Sequence, residues 1–212
     1  MKTLGIVAQK GGAGKTTLTV HLATYAQQQG LSVLIVDTDR QKSVSKWAHR
    51  RSDDKPVVFY TEVAGLAGVI SKAESKGFDL VIVDTAPSHS SETALVSKAV
   101  QFSIIPTRPS ILDIDAISNT TQLLHQLKAK AGIVLNACTP GRGGENSTTA
   151  EVRQVLKSSE FSVCPISITQ RTAFSHALVD GRAVNEFEPN GKAAKEITGL
   201  WNWLIEQLEI KA

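Results

Sequence analysis

The sequence predicts an α/β fold with a mainly parallel, twisted sheet flanked by helices. Three observations predict it. Short apolar runs rich in Val and Ile alternate with amphipathic runs along all 212 residues, the pattern of strands sharing one sheet beneath covering helices. The apolar runs are nearly continuous, as strands buried on both faces require. The first run also passes straight into a glycine-rich loop and then a helical stretch.

Residues 3–8 (TLGIVA) form the first expected strand, and residues 15–29 the first helix, stopped by Gly30. Residues 32–37 (SVLIVD) and 57–61 (VVFYT) read as the next strands, and residues 63–76 as a helix ended by Gly77. A strand at 79–84 (DLVIVD), a helix at 90–101 and a strand at 102–106 (FSIIP) follow. Residues 114–130 are an expected helix, 132–136 (GIVLN) a strand, 148–158 a helix and 163–168 (VCPISI) the last strand. The final helix, about 193–209, carries Ile197, Leu200, Trp201, Leu204, Ile205 and Leu208 as one apolar stripe. With no repeat, low-complexity segment or linker, residues 1–212 are expected to form one domain.

Bulk properties exclude several classes. No run approaches the ~18 apolar residues of a membrane helix. The N-terminal MKTLGIVAQKGG lacks a small-residue cleavage pattern, so a cytoplasmic protein is expected. Cys138 and Cys164 have no metal-binding spacing and read as buried thiols. A net charge of +3 does not by itself indicate a nucleic-acid partner.

The most informative segment is Gln9-Lys10-Gly11-Gly12-Ala13-Gly14-Lys15-Thr16-Thr17, between strand and helix. Glycines let backbone N–H groups turn inward on phosphates, and the helix N-terminus adds its positive dipole end. Lys15 can place its charge on the β- and γ-phosphates, and Thr16 can offer a hydroxyl to Mg²⁺. Gln9 stands where G-x-x-x-x-G-K-S/T has its first glycine, and a second lysine, Lys10, opens the loop. Two further strands end in carboxylates, Asp37-Thr38-Asp39 and Asp84-Thr85. Ligands bind outside the carboxyl ends of parallel strands, so these acids are expected beside the loop. Mg²⁺ held through water by Asp84 would offset their burial. A Mg²⁺-dependent ATPase on a single-domain P-loop NTPase fold is the reading these residues support.

Residues 10–17 resemble the deviant Walker A motif, K-G-G-x-G-K-S/T, of the ParA/MinD superfamily. Asp37-Thr38-Asp39-Arg40-Gln41 resembles its D-x-D-P-Q motif, with Arg40 in place of Pro. Residues 78–87 resemble its Walker B strand, and 106–113 (PTRPSILD) its P-x-x-P-S-x-x-D segment. Ile168-Thr169-Gln170-Arg171 and Leu178-Val179-Asp180-Gly181 are similar to the small plasmid-partition ParA proteins called ParF-like. The resemblance implies that Lys10 reaches the ATP of a dimer partner. It gives Lys15 and Thr16 the ordinary Walker roles, and Gly11, Gly12, Ala13, Gly14 and Thr17 a place in the phosphate cradle. It has Asp39 position the attacking water, Asp37 support the Mg²⁺ shell, and Asn136 read the adenine edge.

The resemblance also implies partition or segregation of a plasmid, chromosome or protein cargo such as a carboxysome. It would act as an ATP-dependent homodimer on non-specific DNA, nucleoid-associated, with a ParB-like or other adaptor stimulating hydrolysis. Arg171, Arg182, Lys192 and Lys195 are the DNA-binding candidates. MinD relatives instead bind membrane through a basic C-terminal helix. Here that helix is acidic, so no membrane partner is expected. With the first strand at residue 3, no helix-turn-helix precedes it and operator-specific autoregulation is not expected. An iron–sulfur reductase would need cysteines after the Walker B strand, and a dethiobiotin-synthetase-like ligase a small acid substrate. A second basic cluster, Lys42, Lys46, Arg50, Arg51 and Lys55 around Trp47 and His49, is either a partner surface or a charged helix face.

Overall fold

The computed structural model describes residues 1–87, 90–142 and 144–210. In chain order the elements are β1 (Lys2–Ile6), α1 (Lys15–Gln28), β2 (Val33–Asp37), α2 (Ser43–Ala48), β3 (Val57–Tyr60), α3 (Leu66–Ser75), β4 (Leu80–Asp84) and α4 (Ser90–Ala99). There follow β5 (Phe102–Thr107), α5 (Ile111–Gln126), β6 (Ala131–Leu135), α6 (Ser147–Leu156), β7 (Ser162–Val163), α7 (Thr172–Val179), α8 (Val184–Phe187) and α9 (Lys192–Leu208). The seven strands make one sheet in the order β3-β2-β4-β1-β5-β6-β7, and every pairing is parallel.

Period-2 alternation distributes each inner strand between two cores. Val33 and Ile35 of β2 join Leu18, Leu22, Trp47, Phe174, Ile197 and Trp201 on the face covered by α1, α2 and α7 to α9. Leu34 and Val36 join Val96, Ile117, Leu124 and Val152 on the face covered by α3 to α6. Each fully buried Leu, Ile or Val contributes roughly 1.5–3 kcal/mol. The stripe expected on the final helix is core: Ile197, Leu200 and Leu204 are fully buried, and Trp201 and Trp203 nearly so.

The structure corrects several boundaries. Helix α5 begins at Ile111 rather than 114, because Ser110 accepts the Asp113 N–H as an N-cap. It ends early because Lys128 turns left-handed. Strand β7 has two residues where six were expected. Pro165 has no N–H to give the ladder, although Cys164 and Ile168 still donate to Ile133 and Leu135. Helices α2, α7 and α8 were not read from the sequence. They have six, eight and four residues, too short to display a helical period.

Candidate functional site

Strand register assembles the site. Asp37 at the end of β2 lies opposite Asp84 at the end of β4, and Asp84 lies opposite Ile6 at the end of β1. Residues 7–14 leave β1 at that same sheet edge and lead into α1. Thr16 and Thr19, one turn apart on α1, share a face. Their hydroxyls donate to the two oxygens of Asp84 at 2.8 and 2.9 Å. The Thr38 hydroxyl and N–H both donate to the Asp84 carbonyl, and the Thr85 hydroxyl to that of Ile6, fastening the three strand ends together.

The loop needs its glycines. Gly14 has φ 90° and a Cβ there would lie 2.1 Å from Asn136 Nδ2, so only glycine fits. Asn136 crosses this gap and donates to the Ala13 carbonyl at 2.7 Å. Here the amide expected to read adenine braces the phosphate loop. Arg108 donates to the Gly12 carbonyl from the other side. The first helical bond of α1 is Leu18 N–H to Gly14, and no side chain caps the helix. The preceding N–H groups of Lys15, Thr16 and Thr17 therefore have no partner within the helix, which is what a phosphate requires.

Lys15 is buried, its ammonium donating to the carbonyls of Ala8 at 3.1 Å and Lys10 at 3.5 Å. Burial holds it below the ordinary lysine range, against the attraction of Asp84 and Asp39. Burial also pushes the Asp84 carboxyl up to about 7, although Thr16, Thr19 and Lys15 oppose this. Three buried carboxylates against one buried ammonium leave the site short of positive charge. Among the described residues no group of three His, Cys, Asp or Glu could hold a metal alone. The donor set, one hydroxyl beside carboxylates, suits a Mg²⁺ ion shared with phosphate oxygens.

Asp37 and Asp39 have local duties as well. Asp37 accepts the N–H of Asp39 on one oxygen, and the N–H and hydroxyl of Ser45 on the other. The residue expected in the Mg²⁺ shell thus also fixes the start of α2. Asp39 accepts the Gln41 N–H at 2.8 Å and is buried. Arg40, in the place of the family Pro, points into solvent beside Glu62, so its side chain leaves the carboxylates undisturbed.

The two loop lysines part company. Lys10 leaves the loop outward and pairs with Asp113 at 2.8 Å, its side chain 43% exposed. Burial alone would raise the Asp113 carboxyl, but hydrogen bonds from Lys10 and Ser110 outweigh it and hold it below the usual range.

The four DNA candidates do not form one free basic patch. Arg171 is half-buried and spends Nε and Nη2 on Glu196. That pair joins the start of α7 to α9. Arg182 is exposed, paired with Asp180 and stacked over Phe187 at 4.8 Å. Lys192 and Lys195 project from the first turn of α9 into solvent. The second basic cluster also divides. Arg51 is buried, bidentate to Glu186, bonded to the Gly181 carbonyl and stacked on Trp47. Arg50 and Trp47 donate to the carbonyls of Leu178 and Arg182. This half of the cluster clamps α2 to the segment joining α7 and α8. Lys42 and Lys46 remain exposed.

Sequence reasoning missed Thr19, Ser45 and Arg108 and gave Asp113 no role. Thr19 was findable, since it lies one turn after Thr16. The others act through contacts that no local pattern records. Both cysteines are free and buried, with burial raising each thiol to about 11.

Residues 4–184 match the family described as the CobQ/CobB/MinD/ParA nucleotide binding domain. The "Maintenance of carboxysome distribution protein A" of Halothiobacillus neapolitanus is 28% identical, over 96% of each chain. Apo McdA of Cyanothece superposes with a TM-score of 0.81 at 18% identity, over 96% of this chain and 99% of that one. MinD of Pyrococcus horikoshii, complexed with Mg-ADP, gives 0.77 at 17% identity, over 100% and 98%. These structures share the fold.

Proposed function

Because this chain belongs to the family of CobQ/CobB/MinD/ParA nucleotide-binding domains, we propose that it is an ATP-switched partition ATPase. It dimerises with ATP and Mg²⁺, binds duplex DNA without sequence preference, and positions a cargo through an adaptor protein. The observation that carries this reading is the divergence of Lys10 and Lys15. One ammonium is enclosed by its own loop, and the other is exposed at the mouth, held by Asp113. A lysine so placed can move to the phosphates of a second protomer.

ATP supplies the bond that is cleaved, and Mg²⁺ neutralises its phosphates. The chain's own residues do the rest. Lys15, the α1 N-terminus and the glycines of the loop hold the phosphates. Thr16 and Asp84 would hold the metal and its waters, with Asp37 in support. Asp39 would orient the attacking water, and Asn136 keeps the loop in place through the Ala13 carbonyl. A trans contact by Lys10 that depends on the γ-phosphate shifts monomers toward dimers only in the ATP state, because only a differential interaction shifts a population. Arg182, Lys192 and Lys195 supply the DNA contacts.

The similarity to a carboxysome-distribution protein over nearly the full chain favours a protein assembly as cargo over a plasmid. The burial of the α9 stripe favours DNA over a membrane as the second surface. No helix among the described residues is long and apolar enough to cross a membrane. Sedimentation of the Asp39→Ala protein with ATP–Mg²⁺ and with ADP tests the reading. A dimer confined to ATP supports it, and a dimer indifferent to nucleotide overturns it.

A further inference from the structure

The sheet ends on β3, which pairs with β2 on one side and, among the described residues, with no strand on the other. Thr61 donates its N–H to Asp37 of β2. By alternation the backbone groups of Val58 and Tyr60 face away from the sheet. An open edge is a template for another strand. The strand is short and follows Pro56, but its side chains are open: Val57 and Phe59 stand 41% and 50% exposed on the α3 side. They flank a groove of about 380 Å³ floored by Leu34 and Ala73. Lys72 of α3 and Lys76, the residue that ends it, line its rim, and neither is ion-paired among the described residues. On the opposite face Lys42 lies over the Tyr60 ring at 4.2 Å.

We propose that the β3 edge is a docking site for an extended, acidic segment of another protein, which adds as a strand to the sheet. Its apolar side chains would cover Val57 and Phe59, and its carboxylates would meet Lys72 and Lys76. The backbone supplies the affinity, and the side-chain pockets supply the choice of partner. The acidic character follows from the lysines, which lie on both faces of the edge without a carboxylate partner among the described residues. A strand is favoured over a helix because main-chain groups are left open beside the groove. Val57, Phe59, Lys72 and Lys76, which line the groove, are not among the residues that hold the phosphates or the metal, so the proposal does not depend on the switch described above.

The test uses the full chain and two short fluorescent peptides, one alternating glutamate with phenylalanine and leucine, the other with lysine replacing glutamate. The acidic peptide should bind at least about tenfold more tightly than the basic one, roughly 1.4 kcal/mol. Phe59→Glu should weaken it by a similar factor, with basal ATP turnover unchanged. Lys72→Glu with Lys76→Glu should reverse the preference. Amide exchange of Val58 and Tyr60 should slow when the acidic peptide binds. Equal binding of the two peptides, indifference to Phe59→Glu, or no slowing at Val58 and Tyr60 would overturn the proposal. So would binding to anionic vesicles without binding to the peptide.

Discussion

Lys10 Nζ lies 2.8 Å from the Asp113 carboxylate, and this ion pair holds the exposed loop lysine against its own protomer. A contact in cis competes with any contact in trans. Asp113→Asn should therefore release Lys10 and strengthen the ATP dimer by about twofold to fivefold, the range of a partly exposed pair. Lys10→Ala should weaken that dimer while leaving ATP binding by the monomer largely intact. Sedimentation over a concentration series separates the two. A loss of dimer in both variants would mean that the pair supports association instead of restraining it.

Lys15→Ala should abolish ATP binding, because the enclosed ammonium is the loop's fixed charge. Asp39→Ala should still bind ATP but hydrolyse it slowly, because only the orientation of water is lost. Nucleotide titration alongside phosphate release distinguishes them. Equal loss of binding in both would refute separate roles.

DNA affinity should fall with salt. Arg171 is held by Glu196 in a part-buried pair, whereas the pair of Arg182 with Asp180 is exposed and can be exchanged for a phosphate, which leaves Arg182, Lys192 and Lys195 in each protomer. Six phosphates in a dimer correspond to a log–log slope of about −5. Lys195→Glu should make the slope shallower, whereas Arg171→Ala should lower thermal stability and leave the slope alone. An Arg171→Ala effect on slope as large as that of Lys195→Glu would restore Arg171 to the DNA surface.

His21 is fully buried on α1, packed against Phe174, with Nδ1 accepting the Val184 N–H. Burial pushes it down to about 3. The unfolded chain therefore binds a proton near pH 6.5 that the folded chain refuses until about pH 3. This contribution is fully present above pH 6.5 and is lost as pH falls through that window, by up to ~1.4 kcal/mol per pH unit. Urea unfolding at pH 7 and pH 4.5 should show the loss in the wild type and a smaller one in His21→Phe. Equal losses would place the acid sensitivity elsewhere.

Arg51→Met should cost about 3 kcal/mol, because it leaves Glu186 without its buried partner. Urea unfolding measures it. A cost below about 1 kcal/mol, the worth of a surface pair, would show that the clamp between α2 and the α7–α8 segment is dispensable.

The sequence by itself determined the alternation of strand and helix and the phosphate loop. It also determined the two strands that end in Asp37 and Asp84. These are local signals: a run of Val and Ile, a glycine where a side chain cannot fit, a carboxylate at the close of an apolar run. Only the tertiary structure decided which side chains meet. Asn136 fills the space that Gly14 leaves, Asp113 holds Lys10, and Arg51 finds Glu186 across 135 residues. It also decided which charges are free, turning Arg171 and Arg51 into internal fasteners and leaving Lys72 and Lys76 beside an open edge. The physical reason is that a charge takes its meaning from burial and partners, and both are fixed by strand order and register across the sheet.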